Sequence, residues 1–442
     1  MSQTPVKEAS DARATKDPIV GPGMLVLFVV LVACFAAWGI AADLTTPMVA
    51  GFKQIFEMST FQASLVQLAY FGAYFLLALP AAFINKRFGY KVGLLTGLAL
   101  AAIGAFAFYP ASKIMTYEAF LVALFAMAAG CSILETSANP YVIALGPEST
   151  ATRRLNFAQS FNPLGTNIGV LLASTLILPK LEAPVGVGAL TPAEQQAIRA
   201  GQLGAVMGPY LGLGFLLLVI WLVIAIQKSP PIHEEFHPTS EGETEQSVIK
   251  TLWGRRRYRF GVVAQFFNVA AQVCCWTYIL QYVQQALNGS LELGGYLLQV
   301  SLIVFMLSRF LMTWVIGKIR ATKVLAALGT LAIVLCLIAV VSPNMVGVAA
   351  IVAVSFCLSL MFPTIYGVAL QGLGPATKFG AAGLVMAIVG GAIMPLVQGI
   401  VIDKTSAAVS FIVPACCFAV VTAFALYDLK APGGSAELAS EA

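Results

Sequence analysis

FLVALFAMAAGCSILETSANPYVIAL, residues Phe120–Leu145, decides the reading of this chain. About 20 apolar residues cross a bilayer, and this run is long enough to do so with tilt. Glu135 lies within it. An ionised carboxylate at the centre of a lipid-facing helix costs at least ~2.5–3.5 kcal/mol, so such a residue faces a cavity or a partner. Asn139, one turn on, shares its helical face, and Pro140 removes a backbone donor and bends the helix. A polar face beside a weakened helix at membrane depth is what a solute pathway requires.

The rest of the composition agrees. Of 442 residues, 59% are hydrophobic and 10% charged, and the mean hydropathy is +0.88. This is a polytopic membrane protein. The formal charge of +5 comes from basic residues scattered over many short loops, which argues against a nucleic-acid partner. The first 23 residues are polar and the first apolar run is full length, so no cleavable signal peptide is expected. The eight cysteines fall inside apolar runs, as small packing residues rather than metal ligands or disulfide partners. His233 and His237 stand in a charged loop.

Spanning runs are predicted near 24–50, 60–84, 91–110, 117–144, 156–178 and 207–227, then near 259–286, 294–316, 323–342, 345–372, 379–402 and 408–427. The chain therefore divides into a tail 1–23, a six-span half 24–227, a polar linker 228–258, a second six-span half 259–429 and a tail 430–442. With both termini cytoplasmic, cytoplasmic segments hold 19 of the 25 Lys and Arg residues and the opposite side five, Arg309 lying inside a span. That asymmetry obeys the positive-inside rule. Short basic hairpins, NKRFGYKVG (Asn85–Gly93) and GKIRATKV (Gly317–Val324), follow the second span of each half. Two repeated halves with a solute site at their interface form one large class of secondary transporter.

Three charged residues fall inside the spans: Asp43, Glu135 and Arg309. Arg309 is always charged and cannot carry a proton. Gln159 and Asn162 are spaced i, i+3, with Pro163, Gly165 and Gly169 loosening their helix. Amides donate to and accept from sugar hydroxyls. Trp276, Tyr278 and Gln281 in QVCCWTYILQY and Phe362 in FPTIYGVALQ add rings and a further amide, which suit the apolar faces and polar edges of a pyranose. No G-x-x-x-x-G-K-[ST] motif appears, so no nucleotide cofactor is expected and an ion gradient would drive accumulation. Desolvation disfavours the charged form of a buried carboxylate, which suits it to carry H⁺. No paired catalytic constellation points to an enzyme.

The stretches LETSANPYVIALGPESTATRRLNFAQSFNPLG (Leu134–Gly165), FGAYFLLALPAAFINKRFGYKVGLLTGL (Phe71–Leu98) and SRFLMTWVIGKIRATKVLAA (Ser308–Ala327) resemble the L-fucose:proton symporter family of the major facilitator superfamily. The likeness runs from about Phe28 to Lys430. It implies an all-α fold of 12 transmembrane helices in two halves related by a pseudo-two-fold axis, in a bacterial inner membrane. It also implies proton-driven uptake of fucose or a related monosaccharide by a monomer. Glu135 stands at the family's substrate- and proton-linked glutamate, where the glucose/galactose branch has Gln. Trp38, Gln159, Asn162, Trp276, Phe305 and Arg309 match pocket or near-pocket positions.

Two positions depart from the family pattern. Asp43-Leu44-Thr45-Thr46 replaces Asn-Leu-Asn-Asp, moving an aspartate by three residues, and Phe362 replaces a Tyr. Residues three apart share a helical face, so Asp43 is assigned as a second protonatable site. Both changes suggest a preference for a sugar other than fucose. The resulting expectation is a proton:monosaccharide symporter working by alternating access. Glu135 and Asp43 would couple the proton, and Trp38, Glu135, Asn139, Gln159, Asn162, Trp276, Tyr278, Gln281, Phe305 and Phe362 would line the site. A uniporter or carrier of another solute, and a transporter-like membrane sugar sensor, stand as alternatives.

Overall fold

The computed structural model describes residues 18–44, 60–177, 192–227, 245–289 and 291–430, and every regular element among them is helical. In chain order these are α1 (Leu25–Leu44), α2 (Thr60–Phe88), α3 (Tyr90–Ile114), α4 (Tyr117–Ala144), α5 (Ala151–Gln159), α6 (Asn162–Leu172) and α7 (Pro192–Ile226). They continue with α8 (Glu245–Gly254), α9 (Arg256–Leu287), α10 (Leu291–Val315), α11 (Ala321–Val341), α12 (Met345–Leu370), α13 (Thr377–Met386), α14 (Gly390–Lys404), α15 (Ala407–Ser410) and α16 (Ile412–Lys430). Among the described residues, 10 helices are long and apolar enough to cross a membrane. The other two spans of the twelve-span reading correspond to α2 and to the broken pair α5–α6.

The fifth span, expected as one run over 156–178, is interrupted at Ser160–Phe161 and ends in a π turn, Ala173–Ile177. Pro163 explains the break: it lacks an N–H and suits the first turn of a new helix, where none is needed. The polar linker holds a ten-residue helix, α8, and α9 begins three residues before the expected span. Elsewhere proline is absorbed inside helices, at Pro80, Pro110, Pro140, Pro363 and Pro395, as membrane helices allow.

The chain forms two compact units, one of Val26–Ala138 and Phe161–Pro230, the other of Met1–Leu25, Asn139–Ser160 and Pro231–Ala442. In the first unit, α3 and α4 meet along small residues. A Cβ on Gly97 or Gly130 would run into the backbone of Leu134 or Ala101, respectively. With no hydrophobic driving force in lipid, such close backbone approach is how helices associate. It fixes the rotation of α4 one residue before Glu135. The same device joins α1 to α6, where Gly39 lies on the carbonyl of Asn162 and Gly165 on that of Ala36.

In the second unit the core gathers apolar residues of α9, α11, α12 and α16, including Cys336, Cys357 and Cys417. Seven cysteines are buried and Cys416 is exposed; all eight are free thiols. The wholly buried Arg154 closes α4: its guanidinium donates to the carbonyls of Val142 (2.7 Å), Ile143, Gly146 (3.1 Å) and Ile19 (2.9 Å). A cation on the last turn of a helix satisfies carbonyls that have no intrahelical donor. In the last turn of α16, Asp428 binds Arg257 at 2.7 Å and Arg320 at 3.2 Å and accepts from Thr322 at 2.8 Å.

Candidate functional site

In the first unit, Glu135 is wholly buried, 0% exposed. The hydroxyl of Thr136 turns back on the carbonyl of Ser132 (2.8 Å), and Ser132 donates to the carbonyl of Tyr74 (3.2 Å). Trp38 on α1 donates its indole N–H to the Tyr74 hydroxyl at 2.7 Å, and that hydroxyl lies 3.4 Å from the hydroxyl of Tyr70. Trp38 is thus held by a tyrosine pair that sequence reasoning passed over. Tyr70 and Tyr74 are spaced i, i+4, which was the available signal. Asn162 reaches the carbonyl of Phe35 at 3.3 Å. Asp43 lies on α1, but its side chain, like Thr45 and Thr46, is outside the described residues.

In the second unit five of the remaining candidates form one connected run. Gln159 donates to Asn139 Oδ1 at 2.8 Å. Arg309 donates to the Gln159 carbonyl at 2.8 Å and lies 3.4 Å from its Oε1. The Arg309 guanidinium sits 4.8 Å over the ring of Phe305, and Phe305 meets Trp276 edge-on at 5.0 Å. Trp276 donates to Ser355 Oγ at 3.1 Å. Asn139, Gln159 and Arg309 are each at most 5% exposed. The cation is placed on a carbonyl dipole and an aromatic face, where desolvation strengthens both contacts.

Three predicted residues stand apart from this run. Tyr278 donates its hydroxyl to the carbonyl of Pro395 at 2.7 Å, a bond that ties α9 to α14. Gln281 is half-buried. Phe362 stacks on Tyr366, with centroids 6.2 Å apart and planes 20° apart.

The structure adds Gln265 and Asn268, both wholly buried on α9. The amide N and O of each have no hydrogen-bond partner among the described residues. Each such atom costs about 1–3 kcal/mol if left dry. Their i, i+3 spacing, with Gln272 four residues further on, was legible in the sequence as a polar stripe.

A bundle of apolar helices that buries a carboxylate, an arginine and a set of amides at membrane depth defines a polytopic carrier for a polar solute. The chain belongs to the Major Facilitator Superfamily, whose family model matches residues 26–388, and it is a transporter rather than an enzyme. It is 40% identical over 423 residues to the L-fucose-proton symporter of Haemophilus influenzae, covering 92% of this chain and 96% of that one. It is 34% identical over 431 residues to the L-fucose-proton symporter of Escherichia coli (97% and 98% covered). A glucose/galactose transporter of Brucella abortus is 33% identical over 402 residues (90% and 93% covered).

Among solved structures, the crystal structure of FucP in the outward conformation superposes with a TM-score of 0.84 at 34% identity, covering 91% of this chain and 98% of that one. The proton:xylose symporter XylE, at 12% identity and a TM-score of 0.66, covers 95% and 96% and shares the fold. The twelve-span fold expected from the sequence is the one observed.

Proposed function

We propose that this chain is a proton-coupled monosaccharide symporter of a bacterial inner membrane, taking up L-fucose or a related hexose by alternating access. The observation that carries the reading is Glu135. It is a wholly buried carboxylate within a membrane-spanning helix, in a chain that is 40% identical to an L-fucose-proton symporter. The transported sugar and H⁺ are its ligands, and no other cofactor enters the cycle. The working unit is a monomer in the lipid bilayer with both termini in the cytoplasm, and the halves 24–227 and 259–429 alternate about the site.

In this mechanism protonation neutralises Glu135, removing the charge that opposes occlusion in a dry site. Trp38 and Trp276 supply ring faces to the pyranose, and Asn139, Gln159 and Asn162 supply amides to its hydroxyls. Arg309 holds the Gln159 carbonyl, so a sugar that displaces Gln159 also moves the arginine. Asp43 is assigned as the second protonatable group. Its displacement from the family pattern, with Thr46 where an aspartate is usual, supports a second reading, a carrier without proton coupling. Reconstituted vesicles decide between them: a symporter alkalinises the outside medium on sugar addition, and a uniporter leaves pH unchanged.

A further inference from the structure

The second unit carries a patch of charge and aromatic surface that the transport reading does not use. Asp428 gathers Arg257, at the start of α9, and Arg320, at the start of α11, so these two ends and the end of α16 share one level. At that level Trp253 is 67% exposed and Trp314 is 56% exposed. The ammonium of Lys318 lies 3.8 Å over the Trp314 ring. Exposed indoles at the end of a spanning bundle lie at headgroup depth, where an apolar ring meets a wet edge.

Around Trp253 the side chains are basic. Lys250 precedes it by three residues and shares its face of α8, while Leu252, 5% exposed, packs inward. Arg255, Arg256 and Arg259 follow, all exposed. The neighbouring Arg257 is occupied by Asp428 and by Gln371 Oε1 at 2.7 Å. No ion pair or hydrogen bond engages the side chains of Lys250, Arg255, Arg256 or Arg259 among the described residues. Four cations beside an exposed indole match an anionic phosphodiester, which the planar guanidinium binds through two parallel hydrogen bonds.

We propose that the α8–α9 corner, formed by Lys250, Trp253, Arg255, Arg256 and Arg259, is a binding site for the headgroup of an anionic phospholipid in the cytoplasmic leaflet. The leaflet follows from the topology proposed above; the site itself does not depend on sugar or proton transport. Each basic residue near an anionic surface adds about 1 kcal/mol of attraction, roughly a fivefold preference. The corner would anchor the end of the linker between the halves to the membrane surface.

The test uses the full-length chain in phosphatidylcholine vesicles containing either brominated phosphatidylglycerol or brominated phosphatidylcholine. Quenching of Trp253 is read as the difference between the native chain and Trp253→Phe. Stronger quenching by brominated phosphatidylglycerol is expected. The preference should fall at least fivefold in the triple variant Arg255→Gln, Arg256→Gln, Arg259→Gln and fall less in the matching Lys variant, which keeps the charge but not the paired hydrogen bonds. Salt should weaken it, since exposed charges are screened within a Debye length.

Equal quenching by the two lipids overturns the proposal, as does a preference that survives neutralisation. Absence of quenching by either lipid, with Trp253 emission altered instead by neutralising Glu234, Glu235, Glu241 and Glu243, assigns the patch to the chain's own acidic linker and also overturns it. Sugar uptake, measured on the same vesicles, reports separately on the transport reading.

Discussion

Glu135 and Asp428 are both buried carboxylates, 0% and 1% exposed, yet their surroundings differ in kind. Asp428 is clamped between two arginines and a threonine hydroxyl at the end of the bundle. Its charge is compensated by permanent cations, and nothing in its role requires a proton. Glu135 sits within α4 on a seam of small residues, between hydroxyl-bearing Ser132 and Thr136 and one turn before Asn139. The same functional group is thus a fixed staple in one place and a candidate carrier of charge in the other. Position sets the difference: Asp428 lies in the last turn of α16, where two helix starts bring their arginines to it, whereas Glu135 lies well inside a spanning helix.

The sharpest way to break this contrast is Glu135→Gln. Gradient-driven accumulation in proteoliposomes should disappear, with the internal-to-external sugar ratio falling to one, while counterflow exchange persists. If the variant still concentrates sugar, Glu135 is no more a proton carrier than Asp428. The reciprocal change, Asp428→Asn, should leave transport coupled but lower stability by about 3 kcal/mol, since Arg257 and Arg320 lose their common anion. Thermal inactivation of the detergent-solubilised protein measures that loss.

Neutral buried groups extend the comparison at smaller scale. Asn268→Leu removes an amide that has no partner among the described residues, and should raise stability by roughly 1–2 kcal/mol. A matching loss of turnover would show that the amide serves transport rather than packing. Tyr74→Phe takes away the acceptor of the Trp38 indole and should cost about 1 kcal/mol. Its stronger signature is a weakened sugar KM with little change in kcat, as expected if Trp38 only needs orienting.

Much of the candidate site was legible because membrane depth makes polarity conspicuous. Glu135, Arg309 and the amides Gln159 and Asn139 stood out as exceptions in apolar runs, and each is buried. The spacing of Tyr70 and Tyr74 marked a pair on one face, but neither Tyr74 nor Ser355 carries any sign of which indole it will face. Tyr278 shows the converse. Its ring was read for the site, while the hydrogen bond of its hydroxyl to the Pro395 carbonyl had no sign in the sequence. The broken fifth span was half visible: Pro163 and Gly165 announced a weakness, but only packing set the break at Ser160–Phe161.

The chain alone determined that the protein spans a membrane many times, which end carries the positive charge, and which few polar residues lie at depth. These follow from hydropathy and charge, which are additive along the sequence and need no partner. Tertiary structure decided which of those polar residues touch: that Gln159 joins Asn139 to Arg309, that Asp428 collects two arginines each more than a hundred residues before it in the chain, and that Trp38 leans on Tyr74. Such pairings depend on the rotation and register of packed helices. Close approach of small residues such as Gly97 and Gly130 sets both, and no residue's own chemistry encodes the neighbour it will meet.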